Sequence, residues 1–290
     1  MSFPNAPGWT VETLHDDYVQ ALREDKVLYE SETGHQNLRL FENARFGRVM
    51  TLDGVIQVTE ADEFVYHEMI AHVPLLAHGS AKNVLVIGGG DGGTIREVLR
   101  HSVENVTLVE LDRDVVAFSR EYLPSLSAGA FDDPRLEIVI SDGVAFVAED
   151  GPAYDVIIVD STDPEGPAEV LYTESFYANC RARLTPRGVV ITQNGVPFVM
   201  PEAVDAPIAA LRAVFEDVAP YMAHVPSYSG GSMAFCWAAM DASVRAVPVE
   251  ILAERLGALE FSPRYYAADV HKAAFALPGY VRAMLPGSST

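Results

Sequence analysis

The stretch VLVIGGGDGGTIREVL, Val84 to Leu99, runs from an apolar segment through a turn with five glycines into a helical pattern. A glycine-rich turn between a buried strand and a helix normally brings backbone amides up to a phosphate, because those amides and the helix N-terminus favour negative charge. Asp91 lies in the middle of this turn, and its carboxylate would repel a phosphate. The stretch therefore predicts a strand–turn–helix unit and raises the question of what the turn holds.

Strand-like and helical segments alternate from this stretch onward. Short runs rich in Val and Ile, without polar alternation, are typical of parallel strands that are covered on both faces. The pattern predicts an α/β fold with a doubly wound, Rossmann-like sheet. The strand-like runs are NVLVI, NVTLVEL, RLEIVI, YDVIIVD and GVVITQNG, and the helical runs between them are TIREVLRH, RDVVAFSREYL, GVAFVAE and TESFYANCRARL.

The chain before the glycine turn has a different pattern. From Leu38 to Thr59 apolar and polar residues alternate, and Asp53-Gly54 suits a two-residue hairpin turn, which predicts a small antiparallel β unit. The segment EADEFVYHEMIAHVPLLAHG has helical spacing and is expected to join the two units. We therefore predict an N-terminal β-hairpin domain with its connecting helix over residues 1–75. A Rossmann-like catalytic domain with C-terminal helices is expected over residues 76–290.

The charge and cysteine content exclude several classes of protein. Forty-one acidic against twenty basic residues give a formal net charge of -21, which repels nucleic acid and anionic membranes. The first twenty residues lack the basic and apolar regions of a signal peptide, and no apolar run approaches the roughly 18 residues of a membrane helix. The two isolated cysteines, Cys180 and Cys236, suggest neither a disulfide framework nor a zinc site. We expect a cytoplasmic protein with small-molecule partners.

Acidic side chains follow four of the predicted parallel strands. Asp91 follows the first, Glu110 ends the second, Asp142 follows the third and Asp160 ends the fourth, with Asp163 three residues later. In an open α/β sheet, ligands bind beyond the carboxyl ends of the strands. These acids are therefore expected to line one crevice that attracts cations.

A dinucleotide site is the first alternative. Gly88, Gly90 and Gly93 match the dinucleotide fingerprint, and Glu110 lies 22 residues after Gly88, where an acid would grip ribose hydroxyls. A unit charge about 4 Å from the carboxylate in the turn would feel roughly 4 kcal/mol at an effective dielectric of about 20, which disfavours a pyrophosphate and favours an ammonium or sulfonium. Arg96 is the one nearby base that could compensate a pyrophosphate.

No metal site is expected. Asp160 and Asp163 have a spacing that could hold Mg²⁺, but no phosphate-binding element accompanies them. HEMIAH resembles a zinc-protease motif, but His67 and His72 are five residues apart, which turns them about 140° from each other on a helix.

Several motifs together resemble those of the spermidine synthases, the polyamine aminopropyltransferases, from about Trp9 to about Trp237. In chain order they are LYESETGHQNLRLFENARFGRVMTLDGVIQVTEADEFVYHEM, VIGGGDGGTIREV, LVELD, SDG, DSTDPEGP and QNG. The resemblance implies the Rossmann-like fold of enzymes that use S-adenosylmethionine. It also implies transfer of an aminopropyl group from decarboxylated S-adenosylmethionine to a diamine, usually putrescine, with release of methylthioadenosine. It implies no permanently bound cofactor and no metal. It further implies a homodimer or homotetramer joined through the N-terminal β unit.

The resemblance also implies a role for each matching residue. The methylthioadenosine portion would be held by Gln36, Glu110, Asp142 and Gly143, with Pro167 over the adenine. Asp91 would bind the amine of the aminopropyl arm, and Asp160 would accept the proton. The polyamine channel would be lined by Tyr66, His67, Asp163, Gln193 and Tyr228. Glu165 departs from the family, which more often has an apolar residue there. It either faces solvent or adds an acid near the amine site, and in the second case the identity of the acceptor amine stays open.

A cationic donor without a carboxylate fits the turn with Asp91, whereas ordinary S-adenosylmethionine would be repelled by it. The pKa of an amine near 10.4 lies about 6.5 units above that of an ordinary aspartate. We therefore hypothesise that neighbouring acids raise the pKa of Asp160 while the sulfonium lowers that of the attacking amine. The alternatives are another acceptor amine (agmatine, cadaverine or spermidine), a methyltransferase on the same fold, and a polyamine-binding protein without catalysis.

Overall fold

The computed structural model describes residues 7–162 and 166–285, with backbone alone at residues 166 and 167. Two antiparallel sheets form the N-terminal part. The first pairs β1 (Trp9–His15) with β2 (Tyr18–Arg23), and the second has the order β3 (Lys26–Glu32), β4 (Asn37–Asn43), β5 (Gly47–Leu52) and β6 (Val55–Thr59). The predicted β unit over residues 38–59 is thus present.

The turn between β5 and β6 explains why Asp53-Gly54 suits a hairpin. Both residues adopt positive φ, 51° at Asp53 and 83° at Gly54, as a two-residue turn of the I′ type requires. The Asp53 carboxylate accepts a hydrogen bond from the Asn37 amide at 2.8 Å and so joins the turn to β4.

A seven-stranded sheet forms the centre of the chain. Its order is β12-β13-β11-β10-β7-β8-β9, in which β7 to β11 are parallel and β13 runs antiparallel to both of its neighbours. The strands are β7 (Asn83–Gly88), β8 (Asn105–Glu110), β9 (Leu136–Ile140), β10 (Tyr154–Asp160), β11 (Leu184–Gln193), β12 (Asp217–Ala223) and β13 (Met233–Ala239). The predicted doubly wound α/β fold is confirmed, with an antiparallel edge added to it.

Helices cover both faces of this sheet. Along β7, Val84 and Val86 belong to one apolar cluster while Leu85 and Ile87 belong to another, which is why the strand carries no polar alternation. The helices are α1 (Glu63–His78), α2 (Gly93–Leu99), α3 (Arg113–Tyr122), α4 (Pro124–Ser127), α5 (Gly143–Ala148), α6 (Glu174–Ala182), α7 (Glu202–Val214), α8 (Val249–Gly257), α9 (Ala268–Ala274) and α10 (Gly279–Met284). Within the described ranges, none combines the length and apolar character needed to cross a bilayer.

The C-terminal segment holds α1 in place. The Glu68 carboxylate accepts hydrogen bonds of 2.7–2.8 Å from three consecutive backbone amides, those of residues 264–266. Arg255 donates to the carbonyls of Leu76 and Ala77 at the end of α1, where four carbonyls lack helical partners. Helix α1 is therefore fixed at its middle and its end by residues that follow the sheet.

Candidate active site

The acids that follow the parallel strands lie along one edge of the sheet. Asp160 ends β10 and pairs with Gly88 at the end of β7, and Glu110 ends the neighbouring β8. Asp91 lies in the turn between β7 and α2, and Asp142 caps the N-terminus of α5 after β9. The acids that were predicted to line one crevice therefore lie together along this edge.

The glycines of the turn let these acids approach closely. A Cβ atom at Gly88 would lie 2.1 Å from the carbonyl oxygen of Asp160, and one at Gly89 would lie 2.6 Å from its Oδ2. A Cβ atom at Gly90 would lie 2.7 Å from Oε2 of Glu110. Any side chain at these positions would displace an acid, so the turn is shaped around carboxylates.

Asp91 occupies the position that a phosphate would need. Its Oδ1 accepts a hydrogen bond of 2.7 Å from the amide of Gly93, the first residue of α2. Arg96 does not offer a compensating charge, because it is only 9% exposed and its guanidinium binds the carboxylates of Glu63 and Glu97. The dinucleotide alternative is therefore disfavoured by two contacts that the sequence does not reveal.

His67 lies between two carboxylates. Its Nδ1 is 2.6 Å from Oε2 of Glu63, and its Nε2 is 3.4 Å from Oδ2 of Asp91. The ring is 2% exposed and fills the space beside Gly93, where a Cβ atom would lie 2.2 Å from it. Burial favours the neutral ring, but Asp91 and Glu63 outweigh it and raise the pKa of His67 to about 10. The two carboxylates therefore favour the charged form of the ring.

Asp160 is held by two hydroxyl groups. Tyr66 donates to Oδ1 at 2.5 Å and Thr94 donates to Oδ2 at 2.7 Å. Burial and the nearby charge of Asp91 raise the pKa of Asp160, while His67 and the two hydroxyls oppose them. The raised pKa of Asp160 agrees with the hypothesis that burial among acids makes this carboxylate a better proton acceptor.

A loop of the N-terminal part reaches the second strand end. Thr33 donates to Oδ2 of Asp112 at 2.7 Å, and Nε2 of Gln36 lies 3.4 Å from the same oxygen. Asp112 caps α3 and donates its amide to Oε1 of Glu110 at 3.0 Å. Burial raises the pKa of Glu110 to about 7, and the charges of Asp112 and Asp160 add to the effect. Gln36 and Glu110 are therefore brought into one neighbourhood from separate parts of the chain.

Asp142 and Gly143 lie at the third strand end. The Asp142 carboxylate accepts a hydrogen bond of 2.7 Å from the Val144 amide, and the side chain is exposed. Gly143 is buried against Ile87 of β7, whose Cγ2 would lie 2.4 Å from a Cβ atom. The pair thus presents an exposed acid next to a position where the backbone is closely packed.

Two of the predicted polyamine residues brace the site. Gln193 is 2% exposed, and its amide donates to the Ser161 carbonyl at 2.9 Å and to the Tyr172 hydroxyl at 3.1 Å. Tyr228 donates to the Gln57 carbonyl of β6 at 2.6 Å, and its ring lies edge-on to that of Tyr66. Asp163 and Glu165 lie outside the described residues, as does the side chain of Pro167.

Four residues of the site were not singled out from the sequence for these roles: Glu63, Thr94, Arg96 and Asp112. The spacing of Glu63 and His67, four residues apart on a helix, was a usable signal for their contact. The contacts of Thr94 with Asp160, of Arg96 with Glu63 and of Asp112 with Thr33 join elements distant along the chain and leave no local pattern.

Comparisons with known proteins agree with the motifs. Residues 63–247 match the spermine/spermidine synthase domain family, and residues 8–60 match the spermidine synthase tetramerisation domain. A polyamine aminopropyltransferase of a Ruegeria species is 54% identical over 96% of this chain and 98% of its own length. Polyamine aminopropyltransferase 1 of Pseudomonas aeruginosa is also 54% identical, over 93% of this chain and 95% of its own.

Solved structures show the same fold. A spermidine synthase crystallised with the transition-state analogue AdoDATO superposes with a TM-score of 0.91 at 36% identity, over 97% of this chain and 96% of that one. The spermidine synthase of Thermotoga maritima superposes with a TM-score of 0.88, also at 36% identity, over 97% and 95%. The predicted resemblance and fold class are confirmed: this chain belongs to the spermidine synthase family and is a polyamine aminopropyltransferase.

Proposed function

We propose that this enzyme is a spermidine synthase that transfers the aminopropyl group of decarboxylated S-adenosylmethionine to putrescine, releasing spermidine and methylthioadenosine. The family membership supports the reaction class, and the AdoDATO complex of the structural relative supports the donor. The observation that carries the proposal is the Asp91 carboxylate at the N-terminus of α2, bound to the Gly93 amide at 2.7 Å. A donor with an ammonium and a sulfonium but no carboxylate is the adenosyl compound that this turn favours.

The donor's nucleoside would lie over the second and third strand ends. Glu110 would accept hydrogen bonds from the ribose hydroxyls, since an acid at the end of the second strand serves this purpose in Rossmann-like folds. Gln36 would reach the nucleoside from the N-terminal loop that binds Asp112. Asp142 and Gly143 would bind next to the adenine, and Pro167 would close over it.

The acceptor amine would lie beside Asp160. Its channel is proposed to be lined by Tyr66, His67, Gln193, Tyr228 and Asp163. Acids of the site would bind the ammonium at the far end of the diamine. The neutral amine nitrogen attacks the methylene next to sulfur, a carbon–nitrogen bond forms, the carbon–sulfur bond breaks, and its electron pair stays on sulfur. The proton released by the new ammonium passes to Asp160.

Two effects would bring the pKa values of the attacking amine and of Asp160 closer to each other. An ordinary amine and an ordinary aspartate differ by about 6.5 pKa units, roughly 9 kcal/mol. Burial and Asp91 raise the pKa of Asp160, and the donor's sulfonium lowers that of the amine held next to it. Alignment of the nitrogen with the breaking bond would supply much of the remaining rate enhancement.

An oligomer is supported by the match of residues 8–60 to a tetramerisation domain. We propose a homotetramer or homodimer joined through the N-terminal sheets, and a cytoplasmic enzyme that meets its diamine and donor there.

A comparison of four acceptor amines tests the proposed substrate. Putrescine is expected to give the highest kcat/KM with decarboxylated S-adenosylmethionine, ahead of cadaverine, agmatine and spermidine, because one or two methylenes change the fit of a channel by about 1–3 kcal/mol. Mass spectrometry should show methylthioadenosine and spermidine. A higher kcat/KM with another amine would reassign the acceptor. Transfer of the donor's methyl group, which would leave decarboxylated S-adenosylhomocysteine, or binding without product, would refute aminopropyl transfer.

Replacing Thr94 with valine is expected to move the acidic limb of the kcat–pH profile to higher pH. The Thr94 hydroxyl stabilises the charged form of Asp160, so its removal raises the pKa of Asp160 further. Activity needs the carboxylate form and is lost as the pH falls through that pKa, so the limb moves upward, by about one pH unit for a hydrogen bond to a charged group. Thr94→Ser keeps the hydroxyl and should leave the limb in place. Equal profiles for the two variants would contradict the assignment.

A further inference from the structure

A row of buried charged and titratable side chains begins at Asp91 and runs between α1 and α2. The His67 ring contacts Asp91 on one side and Glu63 on the other. The Arg96 guanidinium binds Glu63 at 2.8 Å and Glu97 at 2.7 Å. All five side chains are at most 13% exposed. The row has no part in the proposed chemistry beyond its first two members.

The two contacts of the His67 ring are unequal. The Nδ1 contact with Glu63 is short, 2.6 Å, and Glu63 is itself fixed by both terminal nitrogens of Arg96, at 2.8 and 3.2 Å. The Nε2 contact with Asp91 is 3.4 Å. The ring is therefore held firmly on the side remote from the crevice and loosely on the side that faces it.

We propose that the primary ammonium of the donor replaces the Nε2 proton of His67 and binds between Asp91 and His67. This inference rests on the proposed function, because it takes the donor to carry that ammonium. The free enzyme holds an imidazolium, the complex holds a neutral ring, and the displaced proton goes to solvent. Nδ1 keeps its proton and donates it to Glu63, so the Nε2 lone pair is left to accept a hydrogen bond from the ammonium.

Charge balance in the buried crevice favours this exchange. An ammonium on Oδ2 of Asp91 would lie within a few ångströms of Nε2, and two positive charges at that distance repel strongly where little water screens them. A neutral ring removes the repulsion and adds a second acceptor for a group that has three donors. Asp91, Glu63, Asp160 and Tyr66 are the titratable groups that face the ring, and Arg96 faces it through Glu63.

Isothermal titration calorimetry of the wild-type enzyme tests the exchange without any substitution. Binding of decarboxylated S-adenosylmethionine at pH 7.5, without acceptor amine, is measured in phosphate and in Tris, whose heats of ionisation differ. Methylthioadenosine is the matched ligand, because it lacks the ammonium but presents the same nucleoside to Glu110. We expect about one more proton released per site with the donor. The donor's Kd should fall about tenfold per pH unit between pH 6.5 and 8.5, as release of one proton requires.

Variants separate the exchange from other titrations. His67→Asn should lower proton release by the donor to that of methylthioadenosine, and Glu63→Gln should lower it partly, because the ring then holds its proton less firmly. Glu97→Gln is the control, since Glu97 is also buried and binds the same arginine but makes no hydrogen bond to His67. It should leave proton release unchanged. Asp160→Asn should also leave it unchanged if the proton comes from His67.

Equal proton release by the two ligands in the wild-type enzyme would overturn the inference. The proposed function would still hold in that case, provided that the enzyme forms methylthioadenosine from the donor. Failure of the donor to bind at all would refute the proposed function, and this inference with it.

Discussion

Asp160→Asn is expected to lower kcat by at least about a hundredfold, the loss that is typical when a general base is removed. The amide has nearly the shape of the carboxylate and still offers one oxygen to the hydroxyls of Tyr66 and Thr94, so the site keeps its geometry. It cannot take a proton from the attacking amine. Steady-state kinetics with putrescine and the decarboxylated donor measure the effect, and calorimetry with methylthioadenosine should give an unchanged Kd.

Asp155→Asn is the matched control, because Asp155 lies near the other end of β10 and caps the amides of Lys82 and Asn83. It should change kcat by less than about twofold, as substitutions away from the chemistry do when they are tolerated. Near-normal turnover of the Asp160 variant would remove this residue from the role of proton acceptor. A loss of methylthioadenosine binding together with turnover would instead assign it to binding.

Asp91→Asn is expected to weaken binding of decarboxylated S-adenosylmethionine by at least about tenfold, as the loss of a hydrogen bond to a charged group does. The asparagine still accepts the Gly93 amide, so the turn should persist. Preference for the decarboxylated donor over S-adenosylmethionine should also fall, because a carboxylate about 4 Å from Asp91 is repelled by roughly 4 kcal/mol at an effective dielectric of about 20. Calorimetric Kd values for both compounds measure the two effects.

Methylthioadenosine serves as the internal control for the Asp91 variant, because it lacks the charged arm and should bind as it does to the wild type. Asp142→Asn is the control variant. This variant is expected to weaken binding of the decarboxylated donor and of methylthioadenosine by the same factor. It should not change the preference for decarboxylated S-adenosylmethionine over S-adenosylmethionine. An Asp91 variant with an unaltered preference would refute the electrostatic role of the turn.

Residues at the strand ends could be predicted from the sequence because each follows an unbroken apolar strand. Asp160 and Glu110 are the last residues of β10 and β8, as the pattern indicated. The hairpin turn at Asp53-Gly54 was also predictable, since few other residue pairs adopt two positive φ angles. Local chemistry decided each of these features, and local chemistry is what a sequence displays.

The antiparallel edge of the central sheet was not predicted. Strand β12, DVAPYMA, contains a proline and small residues, and β13, MAFCWAA, is buried at every position. Neither has alternation or the β-branched composition of the parallel strands, so their place in the sheet depends on packing. Strands β1 to β3 were missed because their side chains are largely exposed or half-buried and show no apolar face.

Arg96 shows most clearly what the sequence could not reveal about the site. Its position in the first turn of α2 suits a solvated residue or a phosphate ligand, yet it is buried and neutralised by Glu63 and Glu97. Glu63 lies 33 positions earlier in the chain. The charge near Asp91 is therefore decided by a contact between two helices, and only the three-dimensional structure reveals that His67 is the cation next to it.

Carboxylates at the strand ends are expected to bind the nitrogens of the polyamine and of the aminopropyl arm. A crystal structure with spermidine and methylthioadenosine, the proposed products, measures this directly. We expect the terminal nitrogen of the aminopropyl arm within about 3.2 Å of Asp91 and the secondary nitrogen within that distance of Asp160, the usual limit for such hydrogen bonds. Spermidine bound elsewhere, with both carboxylates keeping only their contacts to Gly93, His67, Tyr66 and Thr94, would contradict it.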